Sequence, residues 1–333
     1  MCRFISLLLV VSCINFCQAA DAEFEFITLG TASGPDSNGV QAQPANALIY
    51  GQDVYLVDAG DGAVTQLAKA GIRVTRVKAL FITHLHFDHS GGVLAVLGLR
   101  TQMEAPDTLT VYGPVGTAQF IDHLLAAMAP AMDAANGIPE RHWQARVTVR
   151  ELAQGDTVGL DGITVRVAEN THFASPRRTA EKPGYASLSY RFDAPLHAIV
   201  FTGDTGPSDA VNQLAHAADV LVSEMMDKDF ALANVRRRNP DLPEPVLAGL
   251  RQHFALHHLS PEEVAVMAAQ AGVGGIVVTH FQGAGDDAAQ LQAYRARMQD
   301  AFKGEIRFAR DLDHFVVSEQ ARPAIGPART GNH

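Results

Sequence analysis

Cysteine is nearly missing from this chain of 333 residues, and its three copies, Cys2, Cys13 and Cys17, all lie close to the N-terminus. With that stretch removed no thiol is left, which excludes disulfides and cysteine metal ligands and suits an oxidising compartment. Surplus positive charge is lacking too. The 26 Lys and Arg are outnumbered by 36 Asp and Glu, and a formal net charge of -10 argues against a broad electrostatic footprint for DNA or RNA. Past the N-terminus no apolar run approaches the roughly 20 residues that a membrane helix needs, and no short-period repeat stands out. What remains is an ordinary globular composition. A hydrophobic content of 47% is enough to bury a full core in one large domain or two small ones.

The cysteine-bearing N-terminus has its own pattern. Met1-Cys2-Arg3 gives a short positive start, Phe4 to Phe16 is apolar, and Ala19-Ala20-Asp21-Ala22 offers small residues for cleavage. Residues 1–20 therefore read as a secretory signal peptide, which predicts a periplasmic or secreted protein. A second reading is a lipoprotein anchored through Cys13, since Val10-Val11-Ser12-Cys13 loosely resembles a lipobox, although it does not begin with Leu.

The densest chemistry sits at Thr83-His84-Leu85-His86-Phe87-Asp88-His89, between the apolar run Val77 to Ile82 and Ser90-Gly91-Gly92. Three imidazoles and a carboxylate are costly to place beside a hydrophobic strand unless a divalent cation gathers them. In an extended segment His84, His86 and Asp88 share one side, and His89 can turn to a second ion.

Strand-like and helix-like segments alternate along the rest of the chain. Strands are predicted at Phe24 to Gly30, Ala47 to Tyr50, Val54 to Val57, Lys78 to Ile82, Leu109 to Tyr112, Val147 to Leu152 and Gly162 to Val167. Others follow at Tyr185 to Phe192, Ala198 to Thr202, Val220 to Ser223, Gly275 to Thr279 and Glu305 to Val317. Ser260-Pro261-Glu262-Glu263 reads as a helix start with Ser260 as N-cap and Glu263 closing a capping box. Residues 21–319 are expected to form one α/β domain with covered sheets, in two similar halves, followed by a loose tail at 320–333. Residues 225–255, with Arg236-Arg237-Arg238 and three prolines, read as an insertion on the substrate side. Residues 129–146 read either as a lid or as surface packing.

Further metal-ligand types follow later strand-like runs. His172 comes after Ile163 to Thr171, Asp204 after Ile199 to Gly203, and His280 after Ile276 to Thr279. With His84-x-His86-x-Asp88-His89 and these three in that order, the chain resembles the metallo-β-lactamase superfamily from Phe24 to about Val317. The resemblance implies a four-layered αβ/βα sandwich. It also implies a dinuclear centre in which His84, His86 and His172 hold one metal, Asp88, His89 and His280 hold the other, and Asp204 bridges them. Imidazole and carboxylate donors favour two zinc ions per chain, with manganese or iron as alternatives.

Within that superfamily Leu29-Gly30-Thr31-Ala32-Ser33-Gly34-Pro35, Asp58-Ala59-Gly60-Asp61-Gly62, Gly184-Tyr185 and Thr202-Gly203-Asp204-Thr205 are similar to the ribonuclease Z, phosphodiesterase and arylsulfatase-like group. Ser223-Glu224 and His258-Leu259-Ser260 match less well, and they make Glu224 and His258 candidates for a catalytic acid and its orienting partner. The chain has no glycine- and proline-rich basic arm of the kind used to hold tRNA, and an exported protein would not meet precursor tRNA. The expected partner is instead a small, anionic substrate, with tRNA excluded. The expected function is hydrolysis by a metal-bridging hydroxide, with Asp88 orienting it. Phosphodiesters or related phosphoryl and sulfuryl esters come first. A β-lactam or lactone is the alternative, and a non-catalytic periplasmic metal or ligand binder the second. Arg177, Arg178 and the Arg236 to Arg238 run either reach an anionic group or are solvated, and Tyr185 and Phe173 either line the pocket or pack. A homodimer is an option, though no interface signature is present.

Overall fold

The computed structural model describes residues 24–36, 38–134, 146–174, 184–283 and 287–317. Residues 1–20, expected to be a leader, the tail from residue 320, Arg177 and Arg178, and residues 135–145 of the stretch read as a lid or as surface packing lie outside them.

Two seven-stranded sheets form the centre of the molecule. The first has the order β14-β1-β2-β3-β4-β5-β6 and the second β13-β12-β11-β10-β9-β8-β7. The strands of the first are β1 (Phe24–Gly30), β2 (Ala45–Tyr50), β3 (Asp53–Ala59), β4 (Val77–Phe81), β5 (Leu109–Gly113), β6 (Val147–Glu151) and β14 (Asp313–Val317). Those of the second are β7 (Thr157–Leu160), β8 (Ile163–Glu169), β9 (Leu188–Asp193), β10 (Ala198–Phe201), β11 (Val220–Met226), β12 (Gly275–Gln282) and β13 (Glu305–Phe308). In these orders the first sheet is antiparallel through its first three pairings and parallel through its last three, and the second is parallel through its first three and antiparallel through its last three. The two halves are thus alike in pairing.

Helices α1 (Ala63–Lys69), α3 (Val93–Gln102) and α4 (Thr117–Asp133) cover the outer face of the first sheet and α5 (Asp209–Leu214), α8 (Pro261–Ala271) and α9 (Ala288–Gln299) that of the second, while the single turn α2 (Phe87–Ser90) follows β4 and the helices α6 (Lys228–Arg238) and α7 (Glu244–His257) pack on each other. Three apolar cores separate the four layers. Phe26, Phe81, Tyr190, Phe192, Phe201 and Phe315 pack between the sheets, with Phe26 stacked on Phe315 at 4.7 Å. Leu56, Leu67, Leu80 and Val96 seal the first sheet to its helices, and Leu221, Val264, Ile276 and Met298 seal the second. This is the αβ/βα sandwich expected from the sequence. Strands buried on both faces explain why β4, β10 and β12 read as continuous apolar runs rather than alternating ones.

Several boundaries differ from the sequence reading. The histidine motif is not extended throughout, because Phe87–Ser90 forms the single turn α2 and so carries Asp88 and His89 on a helix. β9 starts at Leu188, not Tyr185. β11 runs on through Met226, so the stretch read as an insertion becomes the helix pair α6 and α7, starting at Lys228 and ending at His257. The closing strands divide, β13 going to the second sheet and β14 crossing back to the first. The short β7, with Gly159 inside it, went unseen. The capping box at Ser260 is present as expected.

Candidate metal centre

The parallel strands of both sheets end at one rim, and the ligand-type side chains collect there. β4 runs into His84 and His86, α2 supplies Asp88 and His89, and the turn after β8 supplies His172. Asp204 follows β10, while His280 lies within β12 rather than after it. Opposite the single residue Glu224 of β11, β12 has two residues, Thr279 and His280, between the pairs Ser223–Val278 and Met225–Phe281. This extra residue is a bulge, a device that re-aims a side chain. His280 takes a left-handed backbone there, with φ 43°, a conformation uncommon outside glycine that concentrates at functional sites.

The seven residues expected as ligands come together. Nε2 of His84 and Nε2 of His172 lie 3.1 and 3.2 Å from Nδ1 of His86. Asp204 Oδ1 is 3.2 Å from His89 Nε2 and 3.4 Å from His280 Nε2, and its Oδ2 is 3.9 Å from His172 Nε2. Asp88 Oδ2 is 3.4 Å from His280 Nε2 and 3.6 Å from His89 Nε2. Among the described residues, the groups His84-His86-His172, His84-His89-Asp204 and Asp88-His89-His280 each keep their donor atoms within 4.8 Å of one another. Asp204 therefore stands between a three-histidine pocket and a second pocket built on α2 and β12.

Two atoms test whether this arrangement fits a cation. Nε2 of His89 and Oδ1 of Asp204 are buried and face each other at 3.2 Å, yet neither makes a hydrogen bond of acceptable geometry among the described residues. Leaving buried polar atoms unpaired costs about 1–3 kcal/mol each, and a metal ion would satisfy both. The outer ring nitrogens are already committed. His172 Nδ1 donates to the carbonyl of His257 at 3.0 Å and His89 Nδ1 to Asp58 Oδ2 at 2.8 Å. His84 Nδ1 donates to Thr83 Oγ1 at 3.0 Å, which donates in turn to Asp58. Each of these bonds fixes a tautomer with the Nε2 lone pair facing inward, as metal-ligating histidines require.

Electrostatics divide the centre into two ends. Burial pulls His84 far below its ordinary value and His172 down to about 3, so both are neutral donors. For His280 burial also lowers the pKa, but the carboxylates of Asp204 and Asp88 outweigh it and raise it to about 9. The same competition, won by Asp204 and Asp58, leaves His89 well above its usual range. Burial pushes Asp88 up, yet His280 and His89 bring it down to about 2. The second end therefore draws positive charge.

Glu224 and His258 form a buried pair beside the ligands. His258 Nδ1 is 3.1 Å from Glu224 Oε1, and that oxygen also accepts from the backbone N–H of Thr205 at 3.0 Å. Burial raises the Glu224 carboxyl, and the nearby Glu224 carboxylate raises His258 against the opposing effect of burial. The His258 and His172 rings lie 4.9 Å apart.

Sequence reasoning missed three contributors. Asp58 was seen only as part of a turn, and His253 and His257 were passed over, although α7 places the His253 ring 5.9 Å from His172 and 5.4 Å from His258. The spacing of His253, His257 and His258 along one helix end was the available signal. Of the arginines read either as anion contacts or as solvated charges, Arg236 pairs with Glu244 and Arg238 with Asp36 at the surface.

Comparison with known proteins bears on the family and the fold. The family model described as a beta-lactamase superfamily domain matches residues 54–281. A ribonuclease Z of Mycobacterium bovis is 30% identical over 301 residues, covering 88% of this chain and 98% of that protein. Among solved structures, the metallo-beta-lactamase fold protein YhfI from Bacillus subtilis superposes with a TM-score of 0.64 at 17% identity, over 88% of this chain and 99% of its own. The short form of human tRNase Z gives 0.59 at 19% identity, over 88% and 99%.

Proposed function

The chain belongs to the metallo-β-lactamase superfamily of metal-dependent hydrolases, and on that footing we propose an exported, dinuclear-zinc enzyme that cleaves phosphodiesters or related phosphoryl and sulfuryl esters. The observation that supports the dinuclear reading is the overlap of the donor groups: His84-His86-His172 and Asp88-His89-His280 are linked through His84-His89-Asp204, whose His89 Nε2 and Asp204 Oδ1 are buried with no hydrogen-bond partner among the described residues. His84, His86 and His172 would hold one ion, Asp88, His89 and His280 the other, with Asp204 between. Two divalent ions, when bound, supply an activated water and withdraw charge from the scissile group.

The remaining steps fall to the chain. The Asp88 carboxylate, held low in pKa, accepts a hydrogen bond from the attacking water and aligns it. As the new bond to phosphorus or sulfur forms and the ester bond breaks, His258 passes its proton to the leaving oxygen. With Nδ1 held by Glu224, Nε2 is the nitrogen left for that transfer. Glu224 stabilises the imidazolium beforehand and keeps its orientation. The whole-length likeness to proteins called ribonuclease Z supports phosphodiester chemistry. The leader-like N-terminus and the acidic balance support a small substrate in place of tRNA.

Zinc-loaded protein should hydrolyse bis(p-nitrophenyl) phosphate or an aryl sulfate faster than a lactone, a β-lactam or a tRNA precursor. Replacing Asp204 with Ala should lower kcat/KM by at least about a hundredfold, since it removes a group shared by both ligand sets. Protein inert to the whole panel, or unchanged turnover in Asp204→Ala, would overturn the reading. Preference for the β-lactam or the tRNA precursor would replace the substrate assignment.

A further inference from the structure

A groove of about 730 Å³ opens beside His86, the one candidate ligand that is exposed. Its walls are Leu85, Phe120, Phe173 and Tyr185, with Gln119 and His123 at polar positions. No Lys, Arg, Asp or Glu is among the described residues that line it.

The groove is continuous with the metal centre. Phe173 directly follows His172, and its ring lies 4.8 Å from His86 and 5.4 Å from His84. Leu85 sits between two candidate ligands in the chain. The far wall is the first turns of α4, where Gln119, Phe120 and His123 share a face. Gly116, just before that helix, has φ 98°, and a Cβ there would lie 2.7 Å from the Tyr185 ring and 3.3 Å from Leu85. A glycine at this position is what lets both side chains lie against the loop. Tyr185 itself is 60% exposed.

Resting on the hydrolase reading, we propose that this groove binds an uncharged aryl or alkyl substituent of the substrate while the anionic group sits at the metal centre. The described walls carry no Lys, Arg, Asp or Glu side chain. They provide instead the aromatic and aliphatic surface that holds an apolar group.

Two readouts separate the groove from the hydrolase reading. Turnover of bis(p-nitrophenyl) phosphate tests the latter. Calorimetric titration of zinc-loaded protein with methyl-, butyl-, phenyl- and naphthylphosphonate, which needs no turnover, tests the former. Kd should fall about tenfold or more from the methyl to the naphthyl compound, through the apolar area buried. Tyr185→Ala and Phe120→Ser should each shrink that ratio. Because Tyr185 is exposed, its replacement does not threaten folding. Equal Kd values across the series, or a ratio unaffected by both substitutions, would overturn the proposal.

Discussion

Asp58 accepts from the backbone N–H of Thr83 at 2.7 Å, from its hydroxyl at 2.8 Å and from His89 Nδ1 at 2.8 Å. Through Thr83 it also orients His84, so one buried carboxylate sets a histidine in each candidate metal pocket. Asp58→Asn would turn an amide N–H toward one of those donors. It should weaken metal affinity by about 10–100-fold, measured by competition with a chelator, while circular dichroism stays that of the parent. Residue identities at the centre were legible where chemistry and sequence coincide: three histidines and an aspartate cannot follow a buried strand without a reason. Asp58 was not legible, because a carboxylate in a glycine-bearing turn looks the same whether it bonds its own loop or a histidine 31 positions on. His253 was hidden for a similar reason, since only the path of α7 carries it over His172.

Local grammar explains which elements could be read. The box at Ser260 spans four residues: Glu263 N–H donates to Ser260 Oγ at 3.2 Å and Ser260 N–H to Glu263 Oε2 at 2.7 Å. It stands two positions after His258, and α8 ends at Gly272 in a left-handed cap. Ser260→Ala should therefore cost about 1 kcal/mol, seen as a lower urea midpoint with unchanged slope. An unaltered midpoint would mean that α8 is held by packing alone. The bulge that turns His280 inward has no local sign, because it exists only in the register of β11 against β12. For the same reason α2 was read as extended: His84, His86 and Asp88 alternate as strand residues would, and the tertiary path after β4 decides otherwise.

At the scale of the molecule, two alike halves present their strand ends to a single rim, and β14 from the end of the described chain closes the first sheet against β1. The alternation of strands and helices made the layered α/β architecture legible. The crossover of β14 was not, since nothing in Asp313–Val317 distinguishes the two sheet edges it could join. Because the centre joins elements from both halves, cations that bind there should stabilise the whole fold. Metal at about 100 times Kd adds about 2.7 kcal/mol, so chelation should lower Tm by several degrees, and zinc should restore it. A Tm indifferent to chelation would separate the centre from the stability of the fold. The most direct measurement is the zinc content of loaded and dialysed protein by inductively coupled plasma mass spectrometry, beside that of Asp204→Ala. Two ions per chain in the parent and fewer in the variant is the result predicted. One ion or none in a parent that still hydrolyses bis(p-nitrophenyl) phosphate would contradict the dinuclear centre.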